Sequence, residues 1–417
     1  MQLQTILNRV ARHPSFVYEA PRWDVHALRP TLEIPIRARA NGRPVCSGCG
    51  RRRPGYDRLP ERRFDFVPLW QIGVVFVYAL RRVQCPRCGV VAEHVPWSNG
   101  KGRLTTTYQW FLAGWARRLS WQEVAAVFHT NWEHVRDSVR HAVQWGLVHR
   151  DLSGVAAIGV DEIQWRRGHH YLTLVYQIDA GCRRLLWIGR ERTEASLRHG
   201  LQLLGEEFCA GLRFACSDLW QPYLTVLAEQ AGGAIRVLDR FHIMKQLSSA
   251  IDDVRAAEAK RLQRDGYQPV LKHSRWCLLK RPENLTDRQT VKLSELLKYN
   301  LQSVRAYLHR EDFQRFWQYR SPVWAGKFLD EWCQRVLHSK IDPMKKVARS
   351  LRAHRELLLN WFRAKGAISS GIVEGYNNKA KLTMRKSYGF REYETIELAL
   401  YHQLGNLPQP NLTHKFC

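Results

Sequence analysis

Two cysteine pairs carry the most legible chemistry in the chain. Cys46-x-x-Cys49 and Cys85-x-x-Cys88 are separated by 35 residues, and a glycine follows each pair, Gly50 and Gly89. Two intervening residues let both thiolates of a pair point at one ion, and the glycine lets the backbone turn beneath the sulfurs. Four thiolates close a tetrahedral Zn²⁺ site and leave no position for water, so the expected zinc holds structure. Between the pairs, the apolar run Ile72–Leu80 and its flank Arg81–Gln84 read as β-rich, which suggests a zinc ribbon. The other six cysteines, Cys182, Cys209, Cys216, Cys277, Cys333 and Cys417, show no ligand spacing and are expected as buried thiols.

Carboxylates form the second group. From Val155 the pattern turns to period two and to β-formers, with Val155–Glu162, His170–Ile178 and Arg184–Glu191 as three successive strands. Thr193 opens a helix with Leu197, Leu201, Leu204 and Phe208 on one face; Leu212–Cys216 and Ala234–Leu238 read as two more strands with a helix between them. Three meandering strands followed by alternating helix and strand predict a mixed α/β sheet of the ribonuclease H type. Asp161 falls late in the first strand and Asp218 directly follows the fourth, so both emerge at the ends of neighbouring strands. Glu162 should point to the opposite face and reads as structural or secondary. Asp239, after the fifth strand, could be a further ligand or could pair with Arg240 or His242, and the supporting role is the favoured reading; His242 itself has no partner at ligand spacing.

Far downstream, Ser369 or Ser370 could cap a helix whose apolar face is Val373, Tyr376, Ala380 and Met384. Glu374, Asn378, Lys381 and Arg385 fall on another face. A carboxylate followed by an amide and two cations suits a metal beside a phosphate backbone.

The elements that position these groups belong to a chain of 417 residues, long enough for two or three domains with a sizeable core. Lys and Arg number 65 against 38 Asp and Glu, a net charge of +27 that favours a polyanionic partner, DNA or RNA. Residues 1–103 hold 18 Lys or Arg against 7 Asp or Glu, and 17 of the 18 are arginine, whose fork suits phosphates and guanine edges. Residues 345–391, around Glu374, hold 12 against 2. The longest uncharged apolar stretch, Val67–Leu80, has 14 residues and is too short to span a membrane. Met1–Phe16 carries Arg9, Arg12 and His13 where a signal peptide needs an apolar run, which predicts a cytoplasmic protein.

Ser120-Trp121-Gln122-Glu123 is a capping box, and Thr130-Asn131-Trp132-Glu133 repeats it ten residues later. Two helices therefore meet at a short turn, which carries His129 rather than glycine. On the second helix Trp132, Val135, Val139 and Val143 share one face and leave Glu133, Arg136, Asp137, Arg140 and Gln144 outside. Such a pair fits a helix-turn-helix that would contact DNA through Arg136, Arg140 and Gln144, or else a plain helical hairpin. The 16 tryptophans are expected mostly in the core.

Four blocks make a specific resemblance. Val160-Asp161-Glu162, Ser217-Asp218-Leu219-Trp220-Gln221-Pro222-Tyr223, Leu238-Asp239-Arg240-Phe241-His242 and Val373-Glu374-Gly375-Tyr376-Asn377-Asn378-Lys379 resemble the blocks of the DDE transposases of bacterial insertion sequences. Together with the cysteine ribbon and the helix-turn-helix, they resemble the IS-L-three family, over about Cys46 to Arg391. The resemblance implies a ribonuclease H-like core with Asp161, Asp218 and Glu374 as a catalytic, metal-binding triad. Oxygen ligands beside phosphate favour Mg²⁺ or Mn²⁺, and two ions about 4 Å apart would serve DNA cleavage and strand transfer. It further implies binding of double-stranded DNA at transposon ends and target; Asn378, Lys381 and Arg385, placed by their spacing on the face of Glu374, are expected to contact that DNA. A homodimer or higher homo-oligomer at the bacterial nucleoid and no membrane partner are expected.

The expected organisation is a zinc-ribbon DNA-binding region at 1–103, the helix-turn-helix at 104–150, the catalytic core at 151–244 and 366–400, and a C-terminal tail at 401–417. The 156 residues between Asp218 and Glu374 imply a helical insertion at 245–365. The competing reading is a non-catalytic DNA-binding regulator derived from a transposase, which predicts loss or scatter of the acidic trio.

Overall fold

The computed structural model describes residues 2–364, 371–386 and 390–411. The chain forms two compact units, Met1–Asp151 with Thr383–Cys417, and Leu152–Leu382.

The first unit opens with α1 (Leu3–Val10) and the strands β1 (Phe16–Tyr18), β2 (Arg22–Trp23), β3 (Thr31–Ala38), β4 (Gly55–Leu69), β5 (Ile72–Cys85) and β6 (Gly89–Ala92). The sheet order is β1-β3-β5-β4, with β2 on β3 and β6 on β5, and only the β3–β5 pair runs parallel. The β-rich run between the cysteine pairs is β5, the spine of this sheet. Trp97 is buried against Phe16, Phe64 and Tyr78 in edge-on contacts. Buried edge-on aromatics are core material, and Trp332 and Trp110 elsewhere are buried likewise.

Three helices follow, α2 (Thr106–Ala116), α3 (Trp121–Val127) and α4 (Trp132–His149). The Ser120–Glu123 capping box starts α3. The second box does not form: the cap of α4 is Asn131, whose side chain accepts from the His134 N–H at 2.7 Å. The Thr130 hydroxyl is engaged by His134 Nδ1 at 2.8 Å instead, which moves the helix start on by one residue. His129 makes the turn at a φ of 52°, the left-handed region usually left to glycine.

The second unit begins with β7 (Ala157–Arg166), β8 (His170–Asp179) and β9 (Cys182–Arg190), then α5 (Glu194–Leu204), α6 (Glu206–Ala210), β10 (Phe214–Ser217), α7 (Gln221–Gln230) and β11 (Ile235–Leu238). The strand order is β11-β10-β7-β8-β9, with β7, β10 and β11 parallel and β7–β8–β9 antiparallel. This is the ribonuclease H arrangement expected from the sequence, with the first strand starting two residues later and running four residues further. Ile158 and Val160 pack with Leu197, Leu201, Tyr223 and Leu227 of α5 and α7.

A helical array completes the unit: α8 (Arg240–Arg264), α9 (Arg275–Leu279), α10 (Asp287–Leu296), α11 (Gln302–Gln314), α12 (Pro322–Leu337), α13 (Asp342–Ala353) and α14 (Arg355–Arg363). Its core gathers Ile251, Phe313, Phe316, Trp332 and Leu351. The insertion therefore starts inside α8, a helix continuous from the end of β11. After it comes α15 (Gly371–Lys386), within which the division between units falls. The expected caps Ser369 and Ser370 lie outside the described residues.

The last helix, α16 (Tyr393–Leu404), belongs to the first unit rather than to a core segment 366–400. Two particulars bind it there. Arg140 of α4 pairs with Glu394 at 2.9 Å, and a Cβ on Gly146 would lie 2.6 Å from the Cβ of Leu407, so the glycine lets the C-terminal segment seat on α4.

Candidate active site

Register, not sequence proximity, assembles the acidic residues. Gly159 of β7 pairs with Cys216 of β10, and Cys216 with Val237 of β11. Asp161, Asp218 and Asp239 each stand two residues beyond that row, which brings three carboxylates to one level: Asp218 and Asp239 directly follow β10 and β11, whereas Asp161, expected late in its strand, lies midway along β7 because that strand runs on to Arg166 against β8. Neighbouring strands lie about 4.8 Å apart, which makes this a single acidic row.

The strand alternation is visible around Asp161. Ile158 and Val160 face α5 and α7, whereas Gly159 and Asp161 face α15. A Cβ at Gly159 would lie 2.4 Å from Val373 Cγ2, so α15 can lie on β7 only because this residue is glycine. That close approach places Asn377 of α15 over the row. Its Nδ2 donates to Asp161 Oδ2 at 2.7 Å while its Oδ1 accepts from the Tyr176 hydroxyl at 2.9 Å. The other Asp161 oxygen accepts from the Glu162 N–H at 2.8 Å.

Glu162 lies on the opposite face, as alternation requires, yet remains electrically part of the site. Arg192 reaches Glu162 Oε1 at 3.1 Å with one terminal nitrogen and Asp218 Oδ2 at 3.0 Å with the other. Its guanidinium is stacked over the Trp220 ring at 4.5 Å. Asp218 Oδ1 accepts from the Trp220 N–H at 3.0 Å. Asp239 caps α8 through the Phe241 N–H at 2.7 Å and pairs with His242 at 3.1 Å, the supporting arrangement expected for it.

Charge crowding shows in the titration of the group. Burial, with the neighbouring Asp218 and Asp239 carboxylates adding to it, raises the Asp161 carboxyl above the usual range. Burial and the charges of Asp161 and Asp218 push Glu162 up to about 7. Burial disfavours the His242 imidazolium, but the hydrogen bond to Asp239 and the charge of Asp161 outweigh it and raise this histidine. Carboxylates raised by burial and further by one another want a cation, and an all-oxygen donor set suits a hard divalent ion.

Glu374 stands one helical turn before Asn377 on α15, half-buried, and among the described residues it makes no hydrogen bond or ion pair. Among the described residues only the four cysteines, not the acidic trio, bring three or more ligand atoms within 4.8 Å of one another. The structure thus brings Asp161 and Asp218 into one row and sets Glu374 on the helix that covers it, without closing the three oxygens together. Sequence reasoning missed Asn377 and Arg192. The buried positions of α15 are Val373, Asn377 and Ala380, so the first of the two asparagines faces the sheet. Its spacing of four from Val373 and three from Ala380 is the signal that could have found it.

In the first unit, Cys46, Cys49, Cys85 and Cys88 lie within 4.8 Å of one another, and Gly50 and Gly89 turn at φ 67° and 74°. The N–H groups of Cys88 and Arg87 help hold Cys85 down to about 6, while burial and adjoining sulfurs push Cys88 up to about 12. Four sulfurs this close cannot all ionise without a cation among them, and four thiolates are the donor set of structural zinc.

The residues expected to meet DNA are dispersed. Arg140 is engaged with Asp137 at 2.6 Å and with Glu394, and Arg136 with Asp137 at 3.3 Å and the Trp132 ring; Gln144 is exposed. Asn378, Lys381 and Arg385 are exposed on α15. Among the described residues no helix is long and apolar enough to cross a membrane.

A ribonuclease H-type sheet is the scaffold of a class of enzymes that act on nucleic-acid phosphodiesters, and here it carries Asp161 on β7 and Asp218 directly after β10. Residues 158–400 match a family model described as "Transposase", and the chain belongs to this family, the IS-L-three DDE transposases. It is 27% identical over 376 residues to the transposase for insertion sequence element IS1001 of Bordetella parapertussis, covering 89% of each chain. It is 28% identical over 408 residues to the transposase for IS1557 of Mycobacterium tuberculosis, covering 89% of this chain and 88% of that one. Neither the family match nor these relatives favour a non-catalytic regulator.

Proposed function

We infer that Asp161, Asp218 and Glu374 are the catalytic carboxylates of a DDE transposase and hold Mg²⁺ or Mn²⁺, two ions in the working site. The observation that carries this reading is the shared register of Asp161 and Asp218, with Glu374 on the helix that Gly159 admits against β7. Bound there, the ions would lower the pKa of an attacking water or DNA 3′-hydroxyl and stabilise the leaving oxygen. The chain's own part is to set the oxygens: Asn377, fixed by Tyr176, orients Asp161, and the Trp220 N–H orients Asp218. The cysteine cluster binds one structural Zn²⁺. Arg136, Arg140, Gln144, Asn378, Lys381 and Arg385 contact double-stranded DNA of element ends or target, on a homodimer or higher homo-oligomer that pairs two ends. The regions follow the sequence divisions, with α16 joining the helix-turn-helix.

The test uses full-length, zinc-loaded protein, DNA carrying the element's ends, and Mg²⁺. Asp161→Asn, Asp218→Asn and Glu374→Gln should each lower cleavage and strand transfer by at least about a thousandfold, as loss of several kcal/mol of transition-state stabilisation requires, with end binding retained. A Glu374→Gln protein that cuts at the wild-type rate removes Glu374 from the triad. End affinity should fall steeply with salt, because many phosphates are contacted.

A further inference from the structure

Arg192 occupies an unusual station. Its fork bridges Asp218, the carboxylate read above as a metal ligand, and Glu162, a carboxylate on the other face of β7. The guanidinium is itself a cation inserted where a cation is wanted, and it is held in place by the Trp220 ring beneath it. With the Asp218 and Glu162 side chains only 13% and 15% exposed, these are not loose surface pairs. One more detail gives the arrangement a direction. Glu162 Oε2 is buried and, among the described residues, has no hydrogen-bond partner. An arginine that let go of Asp218 would find there a second acceptor, turning a single contact with Glu162 into a two-point fork.

We propose that Arg192 is a positioning residue that works as a resident counter-cation: without divalent metal it holds Asp218, and when the metal takes Asp218 it withdraws onto both oxygens of Glu162. Glu162 is then a receiver for Arg192, not a metal ligand. Neither Asp218 nor Glu162 is left without a cation in either state, and the metal must displace Arg192 to assemble the triad. This inference rests on Asp218 being a metal ligand.

The experiment measures Mn²⁺ binding to the full-length, zinc-loaded protein without DNA, by electron paramagnetic resonance of free Mn²⁺. Arg192→Gln should tighten binding about tenfold, since a competing charge-assisted bond of about 1.5 kcal/mol is gone. Arg192→Lys, which keeps the charge but loses the fork, should fall between this variant and wild type. Glu162→Gln should weaken binding severalfold in the wild-type background and change nothing once Arg192 is glutamine, because Glu162 acts only through Arg192. Equal weakening in both backgrounds would make Glu162 a direct partner of the metal and overturn the proposal. So would unchanged affinity in Arg192→Gln, provided circular dichroism shows the variant folded. An Asp218→Asn control that binds Mn²⁺ as wild type does instead rejects the metal-ligand reading on which the proposal rests.

Discussion

The two clusters of ligating side chains in this molecule answer the same problem in opposite ways. In the first unit four sulfurs from two tight turns sit within 4.8 Å of one another, each held by backbone geometry around Gly50 and Gly89. In the second unit the carboxylates come from separate strands and a distant helix, and the two on strands are already engaged, Asp161 by Asn377 and Asp218 by Arg192. A closed soft-ligand cluster suits an ion that never leaves. An open row of oxygens, kept apart by polar and cationic groups, suits ions that arrive with a phosphate and need room for it. On the proposed function, structure and catalysis are separated by ligand type and by how the ligands are tethered.

The largest effect that tests this contrast concerns the sulfurs. Removing zinc by chelation, or substituting Cys46→Ser, should unfold β4–β6, because structural zinc is worth an apparent 10–16 kcal/mol, roughly, at neutral pH. Hydrogen exchange should then rise across Gly55–Ala92 and leave β7–β11 protected. Chelation of Mg²⁺ should leave both units protected. If stripping zinc leaves exchange over Gly55–Ala92 unchanged, the cysteine cluster is not structural and the contrast fails.

A smaller effect bears on tethering in the second unit. Gly159→Ala puts a methyl 2.4 Å from Val373 Cγ2 and 3.3 Å from Ile178 Cγ2. We expect a loss of about 1–3 kcal/mol from overpacking. We also expect a drop in strand transfer larger than the change in end binding, since α15 carries both Asn377 and Glu374. Adding Val373→Ala should restore much of both losses. A double variant no better than Gly159→Ala would show that the helix is held against β7 by something other than this contact.

How much of this could be read from the chain follows the same divide. The cysteine ligands were legible because their spacing is local: two residues and a glycine fix the turn. The sheet was legible because period two and turn residues mark β7 to β9, and Asp218 could be located as a strand-end residue; Asp161 could be placed on its strand but not midway along it, because the far end of β7 is held only by its pairing with β8. What escaped depends on contacts far apart in sequence. Arg192 meets Glu162 and Asp218 only after β7, β9 and β10 are assembled, and nothing in its neighbourhood distinguishes it from the other arginines. The home of α16 was missed for the same reason, since Gly146 and Leu407 lie far apart in the chain. The start of α4 was misplaced by one residue because Thr130 and Asn131 both cap well, and only the Thr130–His134 contact decides between them.

A further contrast sets the two units apart by acid sensitivity. His402 of α16 is fully buried, and burial with the Arg117 guanidinium holds it down to about 3; burial holds His13 down to about 4. Their unfolded value is about 6.5, so the folded first unit binds fewer protons than its unfolded chain between these limits. The stability they contribute is present above pH 6.5 and is lost as pH falls toward 4, by at most about 1.4 kcal/mol per pH unit for each proton. In the second unit Glu162, raised to about 7, has the opposite sign, since its folded form gains protons first and acidification relieves it. Amide exchange across Tyr393–Leu404 should therefore accelerate between pH 6 and 4, after correction for intrinsic rates, while exchange across Ala157–Arg166 should not. His402→Gln, which cannot titrate, should flatten the first response even if it lowers stability at neutral pH. An unchanged slope in that variant would move the acid sensitivity of α16 away from this histidine.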